Sequence, residues 1–458
     1  MDKNQILSAI ENQKENFSKS PLKYYKNRIK ALKNLRENIN LMKEEIFEAL
    51  KKDLNKSEAE SYMTEVGLVL SEISYMIKHC RKFCKIKAVN SPLAHFPSKS
   101  YNIPSPRGVV LIMSPWNYPF LLTIEPLVDA ITAGNSVILK PSNRSPYTSK
   151  VVEKLVKNTF PPEQVTTILG GREEISYLLD QDFDYIFYTG SMQVGKIVME
   201  KANKHFTPYT LEMGGKSPCI VDKTANIPLS AKRIVFGKFM NGGQTCVAPD
   251  YIYCDKSIKE ELVNELKKQI VLQYTDTPLT NENYPKMINK GHFDNKIKLI
   301  DNQKLIFGGK FDENQLKIEP TILDATFEDE IMQEEIFAPI LPIVTFDSID
   351  EAIKKINSGW TPLALYIFSS SKEIQNKVLN ECQFGGGCVN DTLIHISSPY
   401  LPFGGLKQSG VGSYHGKAGF DTFTHYKNVL NKKTWLDLPM RYLPYTKTNY
   451  NLIKKFLK

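Results

Sequence analysis

The sequence predicts an α/β fold: a parallel sheet covered by helices on both faces, a second α/β domain after it, and a small β arm. Three observations carry the prediction. From Val109 to Asn203, short continuous apolar runs alternate with segments of helical period, the pattern of strands buried on both faces and joined by helical crossovers. The alternation resumes more loosely from Ser217 to Asn390. The chain has 458 residues, too many for one ordinary core, so two or three domains are expected.

Ahead of the first strand, apolar residues recur at 22, 25, 29, 32, 35, 39, 42, 46 and 50. That three-and-four spacing predicts one long amphipathic helix lying on a larger body. A second helical stretch runs from Ser57 to Cys84, and the proline-rich segment Ala88 to Pro106 reads as a linker or edge hairpin.

Strands are then expected at Val109–Met113, Ser136–Leu139, Val165–Leu169 and Tyr185–Tyr188, with helices at 120–133, 145–157, 173–179 and 191–203. Ligands of such sheets bind beyond the carboxyl ends of the strands. Three of those ends are unusual: Ser114-Pro-Trp-Asn-Tyr-Pro119, Lys140-Pro-Ser142 and Thr189-Gly-Ser-Met-Gln-Val-Gly195. The last opens a helix, whose free N–H groups and dipole attract a phosphate.

In the second half, strands are expected at 217–221, 250–254, 319–323, 341–345 and 364–368, with helices at 230–240, 260–273, 350–357 and 372–381. The closing stretch Pro402-Phe-Gly-Gly-Leu-Lys-Gln-Ser-Gly-Val-Gly412 is glycine-rich and aromatic. It reads as an extended surface arm suited to another subunit's sheet edge.

The 41% hydrophobic and 24% charged fractions are those of a globular protein. A net charge of +9 would suit acidic partners, but the lysines are spread along the chain. They read as solvated helix faces, and no nucleic-acid partner is expected. The seven cysteines are odd in number and lack Cys-x-x-Cys spacing, which indicates a reducing compartment and no metal site. No run approaches the roughly 18 apolar residues of a spanning helix, so a soluble, cytoplasmic protein is expected.

One thiol stands apart. Phe239-Met-Asn-Gly-Gly-Gln-Thr-Cys-Val-Ala-Pro249 sets Cys246 behind two glycines in a loop closed by proline. Upstream, Glu212 precedes a Gly-Gly pair that admits close approach of backbone or ligand. A thiol and a carboxylate are the types needed for a nucleophile and its base, and a covalent adduct with a carbonyl carbon is the natural chemistry.

Taken together, Pro115-Trp-Asn-Tyr-Pro119, Lys140-Pro-Ser142, Phe187-Tyr-Thr-Gly-Ser191, Glu212-Met-Gly-Gly-Lys216, Gly243-Gln-Thr-Cys246, Glu334-Glu-Ile-Phe337 and Pro402-Phe-Gly-Gly405 resemble the aldehyde dehydrogenase superfamily in order and spacing. The likeness spans roughly residues 20 to 430. Pro399-Tyr-Leu-Pro-Phe-Gly-Gly405 and Tyr414-His-Gly-Lys417 look like its class 3 branch of fatty and aromatic aldehyde dehydrogenases.

The resemblance implies a Rossmann-like dinucleotide-binding domain over residues 1–82 and 104–210 and a catalytic domain over 211–393. It further implies a bridging and oligomerisation arm over 83–103 and 394–430 and a tail over 431–458. It implies NAD or NADP as cofactor, an aliphatic or aromatic aldehyde as substrate, and a homodimer.

An aldehyde has no leaving group, so its oxidation needs a nucleophile, the role implied for Cys246, to make a tetrahedral centre that can expel hydride. Asn117 resembles the donor to the resulting oxyanion, beside the backbone N–H of Cys246, and one such donor is worth about 3 kcal/mol. Hydride passes to the nicotinamide, and Glu212 resembles the base for hydrolysis of the thioester left on Cys246.

Gly190, Ser191 and Gly195 match the pyrophosphate turn, Gly170 a glycine near the adenosine, and Lys140 the lysine that reaches the adenosine ribose. Glu335 and Phe337 resemble the residues at the nicotinamide ribose and ring, with Trp116 and Met213 completing the cofactor set. Two departures stand out. Asn143 stands where many relatives carry Glu, which removes a carboxylate that would repel a 2′-phosphate, so NADP is expected to be tolerated. Ala338 stands where glycine is common.

Three other functions fit some of these residues: release of the thioester to coenzyme A, a cysteine hydrolase without redox chemistry, and a non-catalytic protein on the same fold. Glu212 counts against the first, the cofactor-like turns against the second, and retention of Cys246, Glu212 and Asn117 against the third. The tail ends in nine residues of basic and apolar alternation, Tyr450 to Lys458. That is too short to span a bilayer, and it suits either weak peripheral membrane contact or a helix docked on the protein itself.

Overall fold

A computed structural model of the chain describes residues 2–457. Met1 and Lys458, the first and last residues of the division expected from sequence, lie outside the described residues. The fold is α/β, built on two large sheets.

The first sheet has six strands in the order Gly410–Val411, Tyr209–Glu212, Tyr185–Thr189, Val109–Met113, Ser136–Lys140, Val165–Thr167. All neighbours are parallel except the first pair. Its central strands are apolar throughout because both faces are covered. Val110 and Ile112 pack with helices Leu121–Ala133 and Pro146–Thr159, whereas Val109, Leu111 and Met113 point the other way, toward Leu178 and Val198. Alternate residues of one strand thus feed two separate cores.

The second sheet has seven strands, Leu305–Phe307, Thr321–Asp324, Ile340–Phe346, Tyr251–Asp255, Pro218–Val221, Ala364–Phe368 and Gly386–Val389. It is parallel but for the first pair. A third, antiparallel sheet joins Lys87–Val89, Ser98–Pro106 and Thr424–Lys432. The proline-rich segment therefore pairs as a hairpin and also takes up a strand from the C-terminal region.

Two expectations are corrected and two features are added. An N-terminal helix, Lys3–Ser18, precedes everything foreseen; a capping box between Asp2 and Gln5 starts it. Its apolar stripe is thin, and the buried Gln13 bonds the Val137 carbonyl at 2.8 Å instead. The single long helix is two, Tyr25–Leu41 and Lys43–Leu54, broken at Met42. The first packs on Gly67–Phe83 and the second on Pro146–Thr159, so one straight axis could not serve both.

The helical stretch after Ser57 contains a π-helical turn, Tyr62–Val66, between Glu58–Ser61 and Gly67–Phe83. The second correction concerns residues 402–412, which do not extend as a free arm. Phe403 bridges to Tyr414, and Gly410–Val411 pairs with Tyr209–Glu212 of the same chain.

Candidate active site

The carboxyl ends of strands in the first sheet and the segments that lead into strands of the second sheet face a cavity of about 790 Å³. Cys246, Glu212 and Asn117 all line it, as do Trp116, Gly190, Ser191, Met213, Glu335 and Phe337. Lys140, Gly170 and Gly195 do not. Lys140 ends the strand beyond Val109–Met113 and Gly170 follows the edge strand Val165–Thr167, and Gly195 is buried in the first turn of helix Met192–Lys204.

The thiol loop leaves helix Ile227–Phe239 through three successive left-handed residues, Asn241, Gly242 and Gly243. At Gly243 a β-carbon would meet the Ala338 carbonyl oxygen at 2.3 Å, so the close approach of that strand requires glycine there. Gln244 is fully buried and every polar atom of its amide is used: Nε2 donates to the Asn241 and Lys286 carbonyls and Oε1 accepts from the Ile288 N–H. Cys246 comes two residues later, half-buried. Burial, with the carboxylates of Glu335 and Glu212, pushes its thiol up to about 12, while the N–H groups of Cys246 and Val247 pull it down. Approach of a cation or entry of water is needed before this sulfur ionises.

Asn117 sits at the end of strand Val109–Met113, and its side chain donates to the Gln244 carbonyl at 3.0 Å. An amide nitrogen has two N–H groups; one is held by the thiol loop and the other remains for the cavity. Its own carbonyl accepts from Asn241 at 2.8 Å. Tyr118, the next residue, shares a hydrogen bond of 2.5 Å with Thr245.

Glu212 ends strand Tyr209–Glu212 and is 2% exposed. Neither carboxyl oxygen has a hydrogen-bond partner among the described residues. Burial alone lifts its pKa well above the ordinary carboxylate range. Because it also lines the cavity, this buried acid with both oxygens uncommitted is open to a molecule that enters there.

On the same cavity wall, Glu335 has one oxygen without a partner among the described residues, and Thr189 has its hydroxyl so. Burial, then the Asp250 carboxylate, push Glu335 up to about 8 against Gly215, Lys296 and Lys216. Phe337 has φ +51°, a strained conformation for an aromatic residue, and its ring meets Trp116 edge-on at 5.5 Å. Gly190 and Ser191 open helix Met192–Lys204, with Ser191 as its N-cap. Lys140 is 2% exposed and donates to the Pro141 and Gly170 carbonyls at 3.0 and 2.7 Å. A dinucleotide suits this donor set: a helix N-terminus for its phosphates, an uncommitted carboxylate for a ribose, and an aromatic wall for a ring.

The sequence reading did not include the rest of the wall. Leu121, Phe236, Met240, Ile396 and Phe403 make one end apolar. Tyr414 and His415 reach it from the folded-back segment, where His415 Nε2 lies 3.4 Å from Glu125. Arg144 and His292 meet at 2.7 Å at the rim. Phe403, Tyr414 and His415 lie in motifs that carry the family resemblance, though not as site residues; the others carry no local signal, because each is brought there by a distant element.

The aldehyde dehydrogenase family model matches residues 1–429. The 4,4'-diaponeurosporen-aldehyde dehydrogenase of Staphylococcus aureus is 46% identical over 434 residues, 94% of each chain. The dimeric NADP-preferring aldehyde dehydrogenase of Mus musculus is 44% identical over 93% of this chain and 94% of its own. The solved substrate-bound state of Staphylococcus aureus AldH superposes with a TM-score of 0.97 at 44% identity, covering 99% of both. The chain belongs to the aldehyde dehydrogenase family, whose members oxidise aldehydes with NAD or NADP.

Proposed function

We propose that this enzyme oxidises medium- to long-chain aliphatic or aromatic aldehydes to the carboxylic acids, through a thioester on Cys246. The observation that carries this reading is the pairing, across one apolar-walled cavity, of the Cys246 thiol with a Glu212 carboxyl that has no partner among the described residues. The relative from Staphylococcus aureus is named for a diaponeurosporen-aldehyde, which agrees with a long apolar substrate.

In this reading the Cys246 thiol gives its proton to water admitted to the cavity, its sulfur adds to the aldehyde carbon, and the oxygen of the new tetrahedral centre is met by the second N–H of Asn117 and by the backbone N–H of Cys246. When bound, NAD or NADP supplies the hydride acceptor. Gly190, Ser191 and Gly195 would hold its phosphates, Lys140 and Gly170 its adenosine end, and Glu335, Phe337, Trp116 and Met213 its nicotinamide end. Glu212 takes a proton from the water that attacks the thioester, and the acid leaves. The apolar wall limits water to that step.

Glu212 favours hydrolysis over release to coenzyme A, which needs no such base. Residues 1–82 with 104–210 would form the dinucleotide-binding unit and 211–393 the catalytic unit. Residues 83–103 with 394–430 would form the bridging arm of a homodimer, a state that light scattering tests. No helix among the described residues is long and apolar enough to cross a membrane. A cytoplasmic enzyme with weak peripheral contact through residues 431–458 agrees with that.

The deciding assay follows reduced-cofactor absorbance with a panel of aldehydes, with and without coenzyme A, for wild type and Cys246→Ala. Turnover without coenzyme A that Cys246→Ala abolishes is expected. Activity surviving in Cys246→Ala would overturn the mechanism, and strict dependence on coenzyme A would overturn the hydrolytic reading.

A further inference from the structure

We infer that Lys56 is a positioning residue for this reaction. From beneath the floor of the cavity it holds the peptide group of Asn117 and, through Tyr118, the loop that carries Cys246. The inference rests on the reading of Asn117 as oxyanion donor and Cys246 as nucleophile, and adds what keeps the two in register.

Lys56 and Glu65 form an ion pair of 2.6 Å in which both side chains are 0% exposed. Burying two charges costs their hydration, so such a pair is a poor source of stability unless its remaining donors and acceptors are also used. Here they are, and all on one loop. Lys56 Nζ donates to the Asn117 carbonyl at 3.1 Å and stands 3.9 Å from the centre of the Tyr118 ring. The second Glu65 oxygen accepts from the Phe120 and Leu121 N–H groups at 2.8 and 3.1 Å. An ammonium has three donors, and each is accounted for by Glu65, Asn117 or the Tyr118 face. The pair therefore grips residues 117, 118, 120 and 121 together.

The same short stretch reaches the thiol loop. Glu60 accepts from the Asn241 N–H at 2.7 Å, and the Asn241 side chain donates to the Asn117 carbonyl that Lys56 also holds. Tyr118 bonds Thr245, the neighbour of Cys246. Asn117 and Cys246 are 129 positions apart by residue number, yet both of their loops are tied to residues 56–65.

Glu65 owes its place to the π-helical turn Tyr62–Val66. A π turn inserts one residue and rotates the helix beyond it, and such turns concentrate at functional sites. In this one, Met63 and Thr64 face the cavity while Glu65 points beneath it. An α-helical register would not leave these neighbours on the same sides.

The test uses the full-length enzyme with its cofactor and an aldehyde. Lys56→Met/Glu65→Gln removes the cation together with the carboxylate paired to it, and the glutamine oxygen can still accept from residues 120 and 121; Glu60, which loses the field of that cation, keeps its bond from the Asn241 N–H. Acylation is read as the single-turnover burst of reduced cofactor, beside cofactor Kd and Tm. The expected result is a folded enzyme with cofactor Kd within about twofold of wild type and acylation slowed roughly 30- to 100-fold, approaching loss of the donor itself.

In an Asn117→Ala background the same pair of changes should slow acylation by less than about threefold, because no donor remains to be placed. A purely structural role predicts equal losses in both backgrounds, and that result would overturn the inference. So would acylation in the pair variant within about threefold of wild type. If Lys56→Met/Glu65→Gln does not fold, Lys56→Gln/Glu65→Gln, a neutral hydrogen-bonded pair, is read by the same criteria. Unchanged acylation in Asn117→Ala alone would instead strike the donor assignment on which the inference stands.

Discussion

Lys140 and Gly170 are bonded to each other: the buried ammonium donates to the glycine carbonyl at 2.7 Å. Two residues singled out separately in the sequence are thus one unit, joining the ends of strands Ser136–Lys140 and Val165–Thr167. Burial pushes the Lys140 pKa down to about 8, with Glu174 opposing.

Cofactor affinity should therefore fall as pH rises through about 8, where the ammonium becomes neutral. Titration of NADP or NAD binding from about pH 6.5 to 9.5 should show a loss of roughly tenfold in wild type. In Lys140→Met, binding should be weak and flat over the same range. In the cofactor-free protein the folded value lies below the unfolded one. This group's stability contribution is thus fully present above the unfolded pKa and lost as pH falls through about 8.

Glu212→Gln should separate the two halves of the reaction. Acylation should persist while hydrolysis slows about 10²- to 10⁴-fold, the range for loss of a general base. Intact-mass and peptide mass spectrometry during turnover should then find the acyl group on Cys246; an unmodified peptide would contradict the scheme. Because burial holds the Glu212 proton on well above the ordinary range, hydrolysis in wild type should speed up as pH rises.

Asn143 is exposed beside the Lys140–Gly170 bond, and its amide nitrogen would lie 3.2 Å from a β-carbon at Gly171. With no carboxylate at this place, kcat/KM for NAD should exceed that for NADP by less than about a thousandfold, roughly 4 kcal/mol. Asn143→Glu should move the ratio toward NAD by restoring the repulsion.

The tail offers a fourth test. Trp435, Leu443 and Tyr445 are 69%, 77% and 60% exposed, and helix Lys447–Phe456 carries Lys454 and Lys455 in its last turn. It lies over a second groove of about 800 Å³ bordered by Leu430, Lys432 and His95, which shares no lining residue with the Cys246 cavity. Weak sedimentation with anionic vesicles, lost at high salt and on deletion of residues 446–458, is expected from this mixture of basic and apolar groups. Equal sedimentation of both forms would remove the tail from consideration.

Local pattern determined much of this protein. Fully apolar runs such as Val109–Met113 and Ala364–Phe368 are strands because continuous burial on two faces leaves no polar position, and that is written in five adjacent residues. Cys246 and Glu212 stand out because glycines beside them permit close approach. Other features depend on partners far along the chain. Helix Lys3–Ser18 has too thin a stripe to be seen and is anchored by Gln13 on Val137. The break at Met42 is set by which helices each half must meet. Segment 402–415 folds over the cavity because Gly410–Val411 finds an open edge at Tyr209–Glu212.

That the Glu212 oxygens have no partner among the described residues, that Asn117 has one N–H committed to the thiol loop, and that Lys56 bonds the Asn117 carbonyl were decided only by tertiary structure. Periodicity is a property of neighbours in the chain. Desolvation and non-local hydrogen bonds are properties of whatever packs against them from elsewhere.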